Sequence, residues 1–73
     1  MDRATIEPEI RVVLTEISSK LNEAARVAKV GEACARAGSI AEGVTVSMDI
    51  EQLIYEAGRL QDAVSLLNRL SRE

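Results

Sequence analysis

Val46, Ile50, Leu53, Ala57, Leu60, Val64 and Leu67 recur at steps that alternate between four and three. A repeat of about 3.5 residues is the signature of a helix that carries one continuous apolar seam, and such a seam must be covered by a second helix or remain a greasy strip in water. That requirement limits the fold more than any other feature of the chain. At 73 residues the protein is a single small domain, near the size at which one core supplies only a few kcal/mol without disulfides, metals or association. Help from a second chain is therefore expected.

Composition points the same way. Hydrophobic residues make up 47% of the chain, yet Tyr55 is its only aromatic. Ala, Val, Leu and Ile can pack helices. A β-sandwich or barrel would show alternating β-branched and aromatic residues with frequent turns, and only Val44-Thr45-Val46-Ser47 alternates. The expected fold class is all-α: an antiparallel helical hairpin of two long helices, with a four-helix bundle as its dimer. A three-helix bundle is the alternative if the first helix breaks near Gly31.

The first helix is expected over 6 to 37, starting near Thr5 to Pro8 with the proline in the first turn. Glu7 and Glu9 would then face the positive end of the dipole. Ile6, Ile10, Val13, Leu14, Ile17, Leu21, Ala24, Ala28, Gly31 and Ala35 follow helical spacing. The later half of this face is small: Ala24, Ala25, Ala28, Gly31, Ala33, Ala35, Ala37 and Gly38. Alanine either fills semi-exposed positions through its helix propensity, or marks a crossing where another helix comes close. Gly38-Ser39 should end the helix, residues 38 to 47 should form a linker, and the second helix should run from 49 to 71. Asp49 is its expected N-cap, with Gln52 as reciprocal partner and Met48 packing on Leu53.

Charged residues four apart, Glu7 with Arg11, Glu16 with Lys20, Glu32 with Arg36 and Arg69 with Glu73, read as a solvated face. The formal net charge of −3 and the interleaving of Arg11, Lys20, Arg26, Lys29 and Arg36 with acids leave no basic stripe for nucleic acid or anionic lipid. No run reaches the roughly 20 apolar residues of a membrane span, and the first eight residues lack the apolar stretch of a signal peptide. The expectation is a cytoplasmic protein that binds neither nucleic acid nor membrane.

No catalytic constellation is present. The chain has no His and one Cys, so zinc-ligand spacings and an internal disulfide are both absent, and two helices cannot enclose a water-excluding pocket. No catalytic, cofactor-binding or metal-binding residue is expected. Cys34, at the edge of the apolar stripe, reads as a small buried hydrophobe. Tyr55 lies opposite the second seam, on the side shared with Arg59 and Leu66, and is either an ordinary exposed tyrosine or an interface anchor. Ala63, Leu66 and Leu70 widen the seam of Leu60, Val64 and Leu67 beyond what one neighbouring helix can cover. Gly58 is either a tolerated exposed glycine or a close-approach point.

The string Glu56-Ala57-Gly58-Arg59-Leu60-Gln61-Asp62-Ala63-Val64-Ser65-Leu66-Leu67-Asn68-Arg69-Leu70 resembles the C-terminal helix of the small needle co-chaperones of type III secretion systems. The resemblance covers roughly the last 20 residues and rests on Ala57, Leu60, Ala63, Leu66, Leu67 and Leu70. It implies a short helical hairpin that pairs with a larger tetratricopeptide-like chaperone and holds a needle subunit monomeric before export. The chain departs from that family in its lack of aromatics and in a turn, 38 to 47, longer than the family's. The expected function is a non-catalytic chaperone or adaptor subunit that binds a helical partner through Tyr55, Arg59, Leu60, Ala63, Leu66, Leu67 and Leu70. The rival expectation is a homo-oligomeric four-helix bundle with a structural or regulatory role.

Overall fold

Asp2 sets where the first helix begins. Its backbone is extended (φ −67°, ψ 130°), its side chain accepts a hydrogen bond from the Ala4 N–H at 3.3 Å, and its carbonyl accepts from Thr5 and Ile6. This is an N-cap. The computed structural model, which describes residues 2–72, accordingly places α1 at Arg3–Arg36, earlier than the expected start at residue 6. Pro8 falls inside the helix instead of in its first turn, and the Ala4 carbonyl forgoes the bond residue 8 would have donated. Glu7 and Glu9 lie beyond the first turn, which holds no acid. The helix is continuous through Gly31, so the three-helix alternative does not arise.

Gly38 closes α1 in the left-handed region (φ 93°). The Ser39 N–H reaches back to the Cys34 carbonyl (2.9 Å) and the Gly38 N–H to the Ala35 carbonyl (3.1 Å), the pair of bonds of a Schellman stop. The chain reverses at once. The Ser39 carbonyl accepts from the Gly43 N–H at 3.0 Å, and α2 runs Ile40–Arg72.

The expected linker 38 to 47 is therefore corrected to a turn at Gly38-Ser39, and the second helix starts nine residues before Asp49. Asp49 is not a cap but an exposed residue inside α2. Gln52 donates to Glu56 at 2.8 Å, and Met48 is 64% exposed instead of stapled to Leu53. The β-branched run at 44 to 46 is helical despite its propensity, with the Thr45 hydroxyl bonded to the Ala41 carbonyl.

Packing explains the override. Gly31 and Gly43 are both buried, and the helices approach so closely that a Cβ built on Gly43 would lie 2.7 Å from the Gly31 carbonyl oxygen. One built on Gly31 would lie 3.1 Å from the Gly43 oxygen. Two long helices thus form an antiparallel hairpin, an all-α fold with extents of 55 × 14 × 11 Å.

The seam of α2 is the one read from the sequence: Val46, Ile50, Leu53, Ala57, Leu60, Val64 and Leu67 are all buried or half-buried. Its counterpart on α1 is Ile6, Ile10, Val13, Ile17, Lys20, Ala24, Val27, Gly31 and Cys34, spaced four and three and likewise buried or half-buried. Leu14, Leu21 and Ala28, expected in that stripe, are exposed. Ile6, at 1% exposure, is the largest fully buried side chain among the described residues. Both readings of the alanine stretch hold in part: Gly31 and Ala35 sit at the close approach to Gly43 and Ala24 is buried, whereas Ala25, Ala28, Ala33 and Ala37 are exposed.

The two helical glycines of α2 should respond oppositely to alanine. Gly43→Ala forces a Cβ against backbone, so thermal melts should show a loss of roughly 1–3 kcal/mol. Gly58→Ala, with nothing within 4 Å of the new Cβ, should gain about 0.5–1 kcal/mol from helix propensity alone. Equal stabilisation by both would contradict the close approach.

Candidate partner-docking surface

The hairpin has two unlike edges, and their identity follows from the seams. The residue preceding every second seam position gives Glu9, Glu16, Glu23 and Val30 on α1, and Glu42, Asp49, Glu56, Ala63 and Leu70 on α2. In an antiparallel pair these flanks lie on one side. The ion pair between Lys20 Nζ and Glu56 Oε1 (2.8 Å) spans it. A groove of about 370 Å³ lies there too, lined by Glu16, Lys20, Tyr55, Glu56, Arg59 and Leu60. This edge is acidic. The opposite edge takes the residue after the remaining seam positions: Leu14, Leu21, Ala28 and Ala35 on α1, and Ser47, Ile54, Gln61 and Asn68 on α2. It carries no charge from Leu14 onward.

Lys20 occupies a seam position. Its stem lies along the helix contact while its ammonium leaves the seam to meet Glu56, a use of a polar seam residue that favours one register over others at some cost in stability. The expected Glu16–Lys20 pair is replaced by this crossing contact. Among the described residues Arg11 makes no ion pair with Glu7, whereas Glu32 and Arg36 do pair at 3.4 Å, and Glu23 pairs with Arg26. Glu73, and with it the expected Arg69–Glu73 pair, lies outside the described residues.

Glu56 accepts from Gln52 and from Lys20, and these two bonds, with the lysine's charge, hold its carboxyl below the usual range. The same carboxylate, by hydrogen bond and charge, pushes Lys20 above the usual lysine range, with a smaller push from Glu16.

The seven residues expected to bind a partner do not share a face. Leu60, Ala63, Leu67 and Leu70 are half-buried and belong to the seam or its acidic flank. Tyr55 (58% exposed), Arg59 and Leu66 (48% exposed) lie on the outer face of α2. There the Arg59 guanidinium donates to the Tyr55 hydroxyl at 3.4 Å and sits 6.0 Å from the ring centroid. With Met48, these residues form an exposed row on α2, whose Tyr55 and Arg59 also border the groove shared with Glu16 and Lys20 of α1.

Sequence reasoning missed the uncharged edge at Leu14, Leu21 and Ile54. The signal was present. The expected α1 stripe merges two overlapping seams: Ile6, Ile10, Val13, Ile17, Ala24 and Gly31 meet α2, whereas Leu14, Leu21 and Ala28 belong to the flank one step round and are exposed.

Cys34 is half-buried in the seam. No group of three or more His, Cys, Asp or Glu among the described residues is placed to hold a metal ion. Among the described residues no helix is long and apolar enough to cross a membrane. Comparison with known protein families, with curated proteins and with solved structures finds no match to this chain.

The Lys20–Glu56 contact predicts a pH signature. Glu56, with its pKa depressed in the fold, contributes stability that is present above the ordinary carboxylate range and lost as pH falls through its folded value. Lys20, with its pKa raised, contributes below the ordinary lysine range and loses that contribution as pH rises through its folded value. The melting-temperature difference between wild type and Glu56→Gln should therefore be greatest near neutrality and shrink toward strong acid and strong alkali. A difference constant across pH would show that the pair contributes nothing.

Proposed function

We propose that this chain is a small non-catalytic interaction protein, a chaperone or adaptor-type subunit that acts in the cytoplasm by docking the outer face of α2 on a larger helical partner. The observation that carries the reading is the row of Tyr55, Arg59 and Leu66, exposed at helical spacing along α2. Tyr and Arg dominate interface hot spots because each offers a broad apolar body with a polar tip. A row at helical spacing suits a helix-in-groove or helix-on-solenoid contact.

Other features support the same reading. No described polar or charged residue is buried, and acid–base catalysis draws on groups whose pKa a desolvated site has tuned. The resemblance of residues 56 to 70 to the needle co-chaperones points to a tetratricopeptide-like host. The three-residue turn Ala37-Gly38-Ser39 suits a short hairpin of that kind better than a ten-residue linker.

A photo-crosslinking residue placed at Leu66 in the full chain, expressed in its native cells, should give one discrete adduct with a helical protein, and the same residue at Asn22, on the outer face of α1, should give none. With the crosslinker at Tyr55, Leu66→Glu should cut the adduct about tenfold or more while the helical circular dichroism is unchanged. The same adducts from both helices, or none from α2, would contradict the reading.

A further inference from the structure

The uncharged edge is a second surface, separate from the outer face of α2. Leu14 is 50% exposed, Leu21 46% and Ile54 51%, and Ala28, Ala25 and Gly58 continue the patch. The hairpin is one helix layer deep, so nothing in the described residues folds over it. The chain exposes 5410 Å². A compact folded protein of 7.9 kDa exposes roughly 4,400 Å². The excess, roughly 1,000 Å², is close to the ~800 Å² that each partner of a stable pair buries.

We propose that a second copy of this chain covers this edge, the two hairpins stacking antiparallel about a two-fold axis that crosses α1 near Leu21 and α2 near Ile54. The register argues for it. Lys20 meets Glu56 across the hairpin, so Leu21 and Ile54 lie at one level and one perpendicular axis can serve both helices. About that axis Leu21 faces its own copy and Ile54 does likewise. Leu14 falls opposite Ala28 of the other copy, large against small.

Charge complementarity points the same way. Arg11 and Glu32, each one step further round α1 than the uncharged edge, lie ten and eleven residues from Leu21, within about 1.5 Å of one level, so Arg11 of each copy meets Glu32 of the other. Arg11 has no ion-pair partner within the described residues, and Glu32 has only a 3.4 Å contact with exposed Arg36. The result is a four-helix bundle that leaves Tyr55, Arg59 and Leu66 outside, so this inference does not depend on the docking role of α2.

Sedimentation equilibrium of the purified full chain at micromolar to sub-millimolar concentrations tests it. The wild type should be a dimer. Leu21→Glu, which doubles its charge at the axis, should weaken association about a hundredfold or more with helicity retained, and Leu66→Glu should leave it unchanged. Arg11→Glu should weaken it about five- to tenfold, and the exchange R11E with E32R should restore it. Ile54→Glu supplies an independent probe should Leu21→Glu lose helicity.

A well-folded wild-type monomer overturns the proposal. So does a dimer sensitive to Leu66→Glu but not to Leu21→Glu or Ile54→Glu, or an exchange that fails to restore what Arg11→Glu removes. None of these outcomes touches the crosslinking result at Leu66, which decides the adaptor reading by itself.

Discussion

The contact between Gly31 and Gly43 governs the geometry of the whole hairpin. Two helices whose backbones touch need a partner residue without a Cβ on each side, and the chain supplies one glycine on each helix, three turns or less from the reversal at Gly38. With the near end fixed there, antiparallel geometry sets the level of every later residue. Lys20 arrives beside Glu56 and Ile6 closes the far end. The acidic flanks of both helices come to one edge and the uncharged flanks to the other. Exposed surface is as much a product of this register as the core is.

A hairpin of this kind has little interior. Only Ile6, Ala24 and Ala57 among its described hydrophobic residues are buried, and a layer 11 to 14 Å thick cannot bury more. Leu14, Leu21, Ile54, Tyr55 and Leu66 remain in water as a direct result. Scattered apolar side chains on a surface need no explanation. These do, because they are ordered into rows at helical spacing and lie on two definite faces. Both proposed contacts rest on these rows.

The seam of α2 was legible in the sequence because its spacing is unbroken and its side chains are large. The stop at Gly38 was legible because a left-handed residue there has a local cause. The linker was misread for an equally physical reason. Gly43 and the β-branched residues at 44 to 46 have poor helix propensity, and packing on α1, with Gly43 against Gly31 and Val46 in the seam, favours their helical state. Asp49 looked like a cap because its side chain can cap, yet α2 was already under way.

On α1, apolar residues occupy two adjacent seams, and periodicity alone does not say which one meets α2. Lys20 holds the answer, as a seam residue with a charged tip, and a charge in a seam is the feature a hydrophobic pattern discards. The split of the expected docking residues follows from the same rotation: Leu60 and Leu67 were needed inside, leaving Leu66 and Tyr55 outside.

Nuclear Overhauser contacts within a single chain are the most direct check on this account, measured on isotopically diluted protein so that contacts between copies are silent. The α-protons of Gly31 and Gly43 should show a strong cross-peak, with helical chemical shifts unbroken from Ile40 through Asp49. Loss of that cross-peak together with non-helical shifts over 40 to 47 would mean that the helices do not touch there, and the register with both of its edges would be wrong.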